Sequence, residues 1–129
     1  MVRKWLILAV LGGGGCAWPA TAAATVRFFH SPSGNIQCQV SAHDRVGTAA
    51  YCQTFTPARS VTLGPGGKLK RCRGATCLGN GPENATTLRY GHSVTVGPFR
   101  CTSRKRGMRC VVRSTGDGFE LSRQGIRRV

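Results

Sequence analysis

Acidic side chains are scarce in this chain. Its 129 residues include 4 Asp or Glu against 19 Lys or Arg. General acid–base catalysis needs titratable side chains held in a fixed geometry, and the four carboxylates Asp44, Glu83, Asp117 and Glu120 offer few pairs. On a strand, Asp117 and Glu120 would point to opposite faces, because side chains alternate. We therefore expect a non-enzymatic protein with no catalytic residue and no cofactor.

Histidines and metal-binding patterns add little catalytic capacity. His43 precedes Asp44, a pairing that can orient a general base, but we interpret it as a pair in a surface loop. Cysteine thiolates can act as nucleophiles or bind metals, but the oxidising compartment inferred below favours disulfides instead. We therefore expect no metal site.

Helical periodicity and long apolar runs are also missing. After residue 24, no window of 11 or more residues has apolar residues at the helical spacing of 3.6. The N-terminal apolar run is shorter than the roughly 20 residues that span a bilayer. Short runs rich in Val, Thr and Phe between Gly and Pro predict an all-β fold, a small disulfide-stapled sandwich or barrel of short antiparallel strands. The predicted strands are residues 26–30, 36–40, 48–54, 60–63, 68–73, 87–90, 93–96, 99–102, 108–113 and 119–123.

The N-terminus has the three parts of a signal peptide. Arg3 and Lys4 precede an apolar segment, residues 5–11, and small residues with A-x-A cleavage patterns follow up to Ala24. We predict a signal peptide over residues 1–24 and a single secreted β domain over residues 25–129. Lipid attachment at Cys16, which would tether the protein to a membrane, is the alternative.

Six cysteines remain after Cys16 is removed with the signal. An even number in a short exported chain predicts disulfides. Cys101 and Cys110 would face each other across a hairpin whose turn is centred near Lys105, and Cys72 and Cys77 would flank a tighter hairpin. Cys38 and Cys52 remain and are paired by elimination. The predicted disulfides are Cys38–Cys52, Cys72–Cys77 and Cys101–Cys110.

Basic residues dominate the mature chain. The net charge is +15, and removal of Arg3 and Lys4 with the signal lowers it to +13. A strongly basic protein attracts anionic envelope polymers or lipid head groups, and more weakly nucleic acid. Alternatively, the basic composition reflects codon usage and a need for solubility, since Arg outnumbers Lys by 15 to 4. The candidate anion-binding residues are Arg104, Lys105, Arg106, Arg109 and Arg113.

Two functional classes follow, with catalysis as a third. The leading hypothesis is a secreted or cell-envelope module that binds anionic surfaces without catalysis. The alternative is a small β-rich inhibitor of a secreted hydrolase, with the rigid loop at residues 103–107 as its wedge. Near that loop, Tyr90, Phe99 and Phe119 either stack on a ligand or belong to the core.

Four segments carry a resemblance to a known family. Residues 29–38 match F-x-S-P-S-G-N-I-x-C, and residues 88–91 match L-x-Y-G. Residues 101–110 match C-x-S-x-x-x-G-x-x-C, and residues 115–123 match T-G-x-G-F-x-L-S-R. The chain thus resembles a family of small secreted actinobacterial proteins of unknown function from about Phe28 to its C-terminus. The resemblance implies secretion and disulfides but assigns no site residue. Residues 124–126 depart from the aromatic ending of the family.

Overall fold

The computed structural model describes residues 25–44 and 47–129. The predicted signal peptide and Cys16 lie outside this part of the chain. Two β-sheets and one 3-10 turn, Ala75–Cys77, account for its regular structure. The all-β fold is therefore confirmed, and the division into two sheets makes it a sandwich.

Six strands form the first sheet. They are β1 (Thr25–His30), β2 (Ile36–Asp44), β3 (Gly47–Thr54), β4 (Arg59–Leu63), β5 (Leu69–Arg73) and β6 (Thr86–Thr87). Their order across the sheet is β5-β4-β3-β2-β1-β6. Neighbours are antiparallel apart from the parallel pair β1 and β6.

Five antiparallel strands form the second sheet. They are β7 (Ser93–Val96), β8 (Phe99–Arg104), β9 (Gly107–Val112), β10 (Gly118–Ser122) and β11 (Gly125–Arg128). They follow one another in chain order across the sheet. The β8–β9 hairpin turns at residues 105–106, as its spacing predicts.

One hydrophobic core joins the two sheets. Phe29 of the first sheet and Phe99 and Phe119 of the second are at most 2% exposed. Full burial of such a side chain contributes roughly 1.5–3 kcal/mol relative to its exposure. Phe99 and Phe119 therefore serve the core and are not ligand-stacking residues.

Two disulfides lie in contact at the centre of this core. Cys38 and Cys52 are directly opposed on β2 and β3, with Cα atoms 4.1 Å apart. Cys101 and Cys110 are opposed in the same way on β8 and β9, at 4.0 Å. The sulfur of Cys52 lies 3.7 Å from that of Cys110. Each sheet is thus cross-linked internally, and the two cross-links pack against each other between the sheets.

The third disulfide lies at the surface and corrects a prediction. Cys72 and Cys77 are bonded, with Cα atoms 5.7 Å apart, but they do not flank a hairpin. Gly74 N–H donates to Ala58 O (2.9 Å) and Cys77 N–H donates to Gly74 O (3.1 Å). These bonds fold the chain after β5 into a 3-10 turn, so no return strand forms.

Two further differences concern short strands at sheet edges. The strand predicted over residues 87–90 is reduced to Thr86–Thr87. The chain then crosses to the second sheet, where Gly91 N–H donates to Ser103 O (2.7 Å). The edge strand β11 was not predicted, because its charged residues Arg127 and Arg128 hide the strand pattern.

The segment after the 3-10 turn covers part of the outer face of the first sheet. Gln53, which is 1% exposed, donates through Nε2 to Gly79 O (2.9 Å) and accepts at Oε1 from Gly79 N–H (2.8 Å). Tyr51 O–H donates to Cys77 O (2.9 Å). This polar network holds the segment on the sheet.

Candidate functional site

Several turns meet at one end of the sandwich, which we call the basic end. The β1–β2 turn (residues 31–35), the β8–β9 turn (residues 105–106) and the β10–β11 turn (residues 123–124) all contribute to it, together with Tyr90. They enclose a cleft of about 290 Å³. Each of the four segments that carry the family resemblance contributes residues to this cleft.

Four cations line the cleft. Arg104, Lys105, Arg106 and Arg123 are all exposed. None of the described residues that line the cleft is acidic. The buried Glu120 forms an ion pair with Arg127 (3.2 Å), and neither residue lines the cleft. The cleft therefore carries charge of one sign.

Hydrogen bonds hold the β1–β2 turn in shape. Ser31 N–H donates to Ile36 O (2.8 Å), and Ile36 N–H donates to Ser31 Oγ (3.1 Å). Asn35 links this turn to the β3–β4 turn, because its Nδ2 donates to Thr56 O and its Oδ1 accepts from Thr56 N–H, both at 3.0 Å. This side of the cleft is thus built before any ligand arrives.

The backbone beside β8 positions the aromatic residue of the cleft. Ser103 N–H donates to His92 O (3.0 Å), and Ser103 O accepts from Gly91 N–H (2.7 Å). These two bonds fix Tyr90 next to the β8–β9 turn. Its side chain is 43% exposed, so its ring presents a substantial surface to solvent at the cleft.

Close backbone contact holds the β8–β9 turn against β10. Gly107 has φ 150°, and a Cβ at this position would overlap the carbonyl oxygen of Leu121. Only glycine fits here without displacing one of the two strands. Arg104, Lys105 and Arg106 therefore sit on a turn whose place is fixed by contact with its neighbour.

The five predicted anion-binding residues do not form one site. Arg104, Lys105 and Arg106 line the cleft. Arg109 points outward from the middle of β9, where it is opposed by Glu120 of β10. Arg113 lies beyond the far end of β9, and its backbone N–H donates to Pro98 O (2.8 Å). Arg109 and Arg113 are therefore placed apart from the other three.

Two residues at the cleft, Arg123 and Asn35, are not among the five predicted anion-binding residues. The sequence predicts a strand over residues 119–123 that includes Arg123, whereas β10 ends at Ser122 and Arg123 begins a turn. Gly125, which follows two residues later, is the signal that would have indicated this turn. Asn35 lies in a predicted turn, but its hydrogen bonds to Thr56 join two distant turns and cannot be predicted from the local sequence.

The predicted wedge of an inhibitor is shorter than its sequence suggested. Ser103 is 1% exposed and Gly107 is buried. Only residues 104–106 reach solvent, and they do so as part of the rim of a concave cleft.

His30 and His43 lie in different environments. His43 lies near the end of β2 and not in the predicted surface loop; it is exposed, with φ 58° in the left-handed region, and its backbone N–H donates to Thr48 Oγ1 (3.1 Å). His30 contacts Ser31 O (2.8 Å) through Nδ1 and Thr87 Oγ1 (3.2 Å) through Nε2. Neither histidine lines the cleft.

Among the described residues, three cysteine sulfurs lie close enough together to bind a metal ion if they were free thiolates. Those of Cys38, Cys52 and Cys110 lie within 4.8 Å of one another. All three belong to disulfides, whereas metal binding needs thiolates. The oxidised protein therefore offers no ligand at this position.

The fold and the cleft define a class, namely small disulfide-stapled β-sandwich proteins with a basic cleft at one end. The model of a family of unknown function, DUF6636, matches residues 65–128. This segment includes Tyr90, Arg104 and Arg123, but not the β1–β2 turn. No curated protein and no solved structure matches the chain. Within the described residues, no helix is long and apolar enough to cross a membrane.

Proposed function

We propose that this chain is a non-catalytic module that binds anionic surfaces through the cleft at its basic end. The observation that carries the proposal is the placement of four exposed cations, Arg104, Lys105, Arg106 and Arg123, around one cleft whose described lining contains no acidic residue. A concave surface lined by charge of one sign concentrates its field and attracts counter-ions.

Arginine suits this role for a chemical reason. Its planar guanidinium presents donors in a fixed fork that matches the two oxygens of a carboxylate or phosphate. Three of the four cations in the cleft are arginines. Because two of the contributing turns are fixed by backbone contact and hydrogen bonds, little order has to be gained on binding.

The disulfides support a location outside the cytoplasm. Such bonds form and persist mainly in oxidising compartments, and three are present in a chain of 129 residues. We place the protein in the extracellular space or cell envelope, where anionic polymers and lipid head groups are available.

Two charge-reversal variants test the proposed site. Arg104→Glu with Arg106→Glu changes the cleft, and Lys68→Glu with Arg113→Glu makes the same change in net charge on exposed residues at the other end. We expect the cleft variant to weaken binding to phosphatidylglycerol vesicles and inorganic polyphosphate by about tenfold or more. The control variant should stay within about threefold of the wild type.

Salt provides the second measurement. Binding of the wild type should fall steeply between roughly 0.05 and 0.5 M NaCl, because exposed charges are screened. Equal losses in the two variants would show that total charge matters and the cleft does not. Salt-independent binding would contradict the electrostatic basis of the proposal.

A further inference from the structure

The cleft offers neutral groups as well as cations. Ser33 and Asn35 contribute from the β1–β2 turn, Ser122 from the end of β10 and Gln124 from the β10–β11 turn, and Tyr90 adds an aromatic ring. Ser122 Oγ donates to Gln124 Oε1 (2.9 Å) and accepts from Gln124 N–H (3.2 Å), so this turn holds its hydroxyl and amide in place. Hydroxyl and amide groups can also donate to phosphate or carboxylate oxygens, so the ring of Tyr90 is the group that a ligand made only of charges would leave unused.

We infer that the ligand is an acidic glycan, a polymer of sugar units that carry carboxylate or phosphate groups. This inference rests on the proposed function and specifies its ligand. The arginines would pair with the acidic groups. The side chains of Ser33, Asn35 and Gln124 each have further hydrogen-bonding positions besides those used within the protein, and these can contact sugar hydroxyls. The apolar C–H face of a sugar ring packs on an aromatic ring such as Tyr90.

The shape of the cleft favours this ligand over a flat membrane. Its hydroxyl and amide groups line a recess of about 290 Å³, whereas a bilayer surface contacts what protrudes. This volume lies at the lower limit of ligand pockets, roughly 300 Å³, so the recess can hold only a short segment of a longer chain. The rest of the polymer would extend along the exposed cations of the rim.

The aromatic content of the cleft argues against single-stranded nucleic acid. Proteins that bind such strands stack successive bases on several aromatic side chains. Among the described residues that line the cleft, Tyr90 is the only aromatic one. The second large exposed aromatic residue of the described chain, Phe55, is 44% exposed but does not line the cleft.

This difference supplies a matched pair of variants. Tyr90→Ala removes an exposed ring inside the cleft, Phe55→Ala removes an equally exposed ring outside it, and Tyr90→Phe keeps the ring. Binding of each protein to polygalacturonate, a carboxylated sugar polymer, would be measured by calorimetry. Inorganic polyphosphate, an oligothymidylate strand, phosphatidylglycerol vesicles and neutral dextran would be compared.

We expect Tyr90→Ala to weaken polygalacturonate binding by about tenfold and polyphosphate binding by less than about twofold. Tyr90→Phe and Phe55→Ala should match the wild type, and dextran should not bind. Thermal unfolding of each variant controls for folding. If Tyr90→Ala is unstable, Tyr90→Leu, which removes the ring but keeps an apolar side chain, replaces it, with an expected loss of about threefold for polygalacturonate and less than about twofold for polyphosphate.

The outcomes separate the two proposals. If polyphosphate binds with salt dependence while Tyr90→Ala leaves polygalacturonate binding unchanged, or weakens both polymers equally, the glycan inference is overturned and the anion-binding function stands. Tighter binding of the oligothymidylate that depends on Tyr90 would replace the glycan with nucleic acid. Failure of every anionic ligand to bind would remove the proposed function itself.

Discussion

The two ends of the sandwich are built from the same kind of element and differ in charge and packing. At the basic end, the turns stand around an open cleft, and its lining carries cations without acids. At the opposite end, Lys68 and Arg113 share the surface with Asp117, and a methyl group placed on Gly67 would lie 3.3 Å from Asp117 Cβ. There the β4–β5 and β9–β10 turns pack against each other. Short turns can therefore either close an end or frame a cleft, depending on how closely they meet.

The largest expected effect tests whether backbone contact holds the basic end together. Gly107→Ala would place a Cβ against Leu121 O and strain the backbone at φ 150°. We expect the free energy of unfolding to fall by about 3 kcal/mol, measured by urea denaturation.

A glycine at the other end is the matched control. Gly66 lies in the β4–β5 turn, and a Cβ there would have nothing within 4 Å. Gly66→Ala should change the free energy of unfolding by no more than about 0.5 kcal/mol. Equal effects of the two substitutions would show that the contact between Gly107 and β10 does not organise the basic end.

A smaller effect is expected from the side-chain bonds that support the cleft. Asn35→Ala removes both hydrogen bonds to Thr56, and neutral bonds of this kind contribute roughly 0.5–1.5 kcal/mol each. We expect a loss of about 1.5 kcal/mol in the free energy of unfolding, because the site is partly exposed to water. The measurement is urea denaturation, as for the glycine variants.

Asn84, exposed in the loop before β6, provides the control for Asn35. Asn84→Ala should leave the free energy of unfolding within about 0.5 kcal/mol of the wild type. A loss at position 35 no larger than at position 84 would mean that the β1–β2 and β3–β4 turns are held by their strands alone.

Much of the fold could be predicted because its signals are local. Gly and Pro mark the turns, and Cys101 and Cys110 are opposed on a hairpin as their spacing predicts. Cys38–Cys52 followed by elimination only, and the structure places these two residues opposite each other as well. The edge strand β6 was predicted too long, and β11 was not predicted because its charged residues hide the strand pattern. Their pairing depends on a neighbouring strand, which is a tertiary effect that no local pattern contains.

The cleft was predictable only in part, for a geometric reason. Arg104, Lys105 and Arg106 are contiguous at a hairpin tip, so the sequence placed them together. Arg113 is close in sequence, but a strand rises about 3.3 Å per residue, so the length of β9 carries it to the other end of the sandwich. Conversely, Tyr90 lies near the β8–β9 turn as the sequence predicts, but for a tertiary reason, because the chain crosses between the sheets and Gly91 N–H donates to Ser103 O.

The smallest expected effect has the opposite sign and involves two buried serines. Ser103 is 1% exposed, and its Oγ has no hydrogen-bond partner among the described atoms. Ser31 is 4% exposed, but its Oγ bonds to Ser33 Oγ (3.0 Å) and accepts from Ile36 N–H (3.1 Å). A buried polar group without a partner destabilises the fold, whereas a bonded one supports it.

Alanine at each position should therefore move stability in opposite directions. Ser103→Ala removes the unpartnered hydroxyl and should raise the free energy of unfolding by about 1 kcal/mol, which corresponds to a melting temperature about 5 °C higher. Ser31→Ala leaves Ile36 N–H without its acceptor and should lower the free energy by about 1 kcal/mol. A loss of stability in Ser103→Ala would show that its hydroxyl has a partner after all. A gain, with unchanged binding to polyphosphate, would show that the basic end tolerates a tighter interior while its cleft keeps its function.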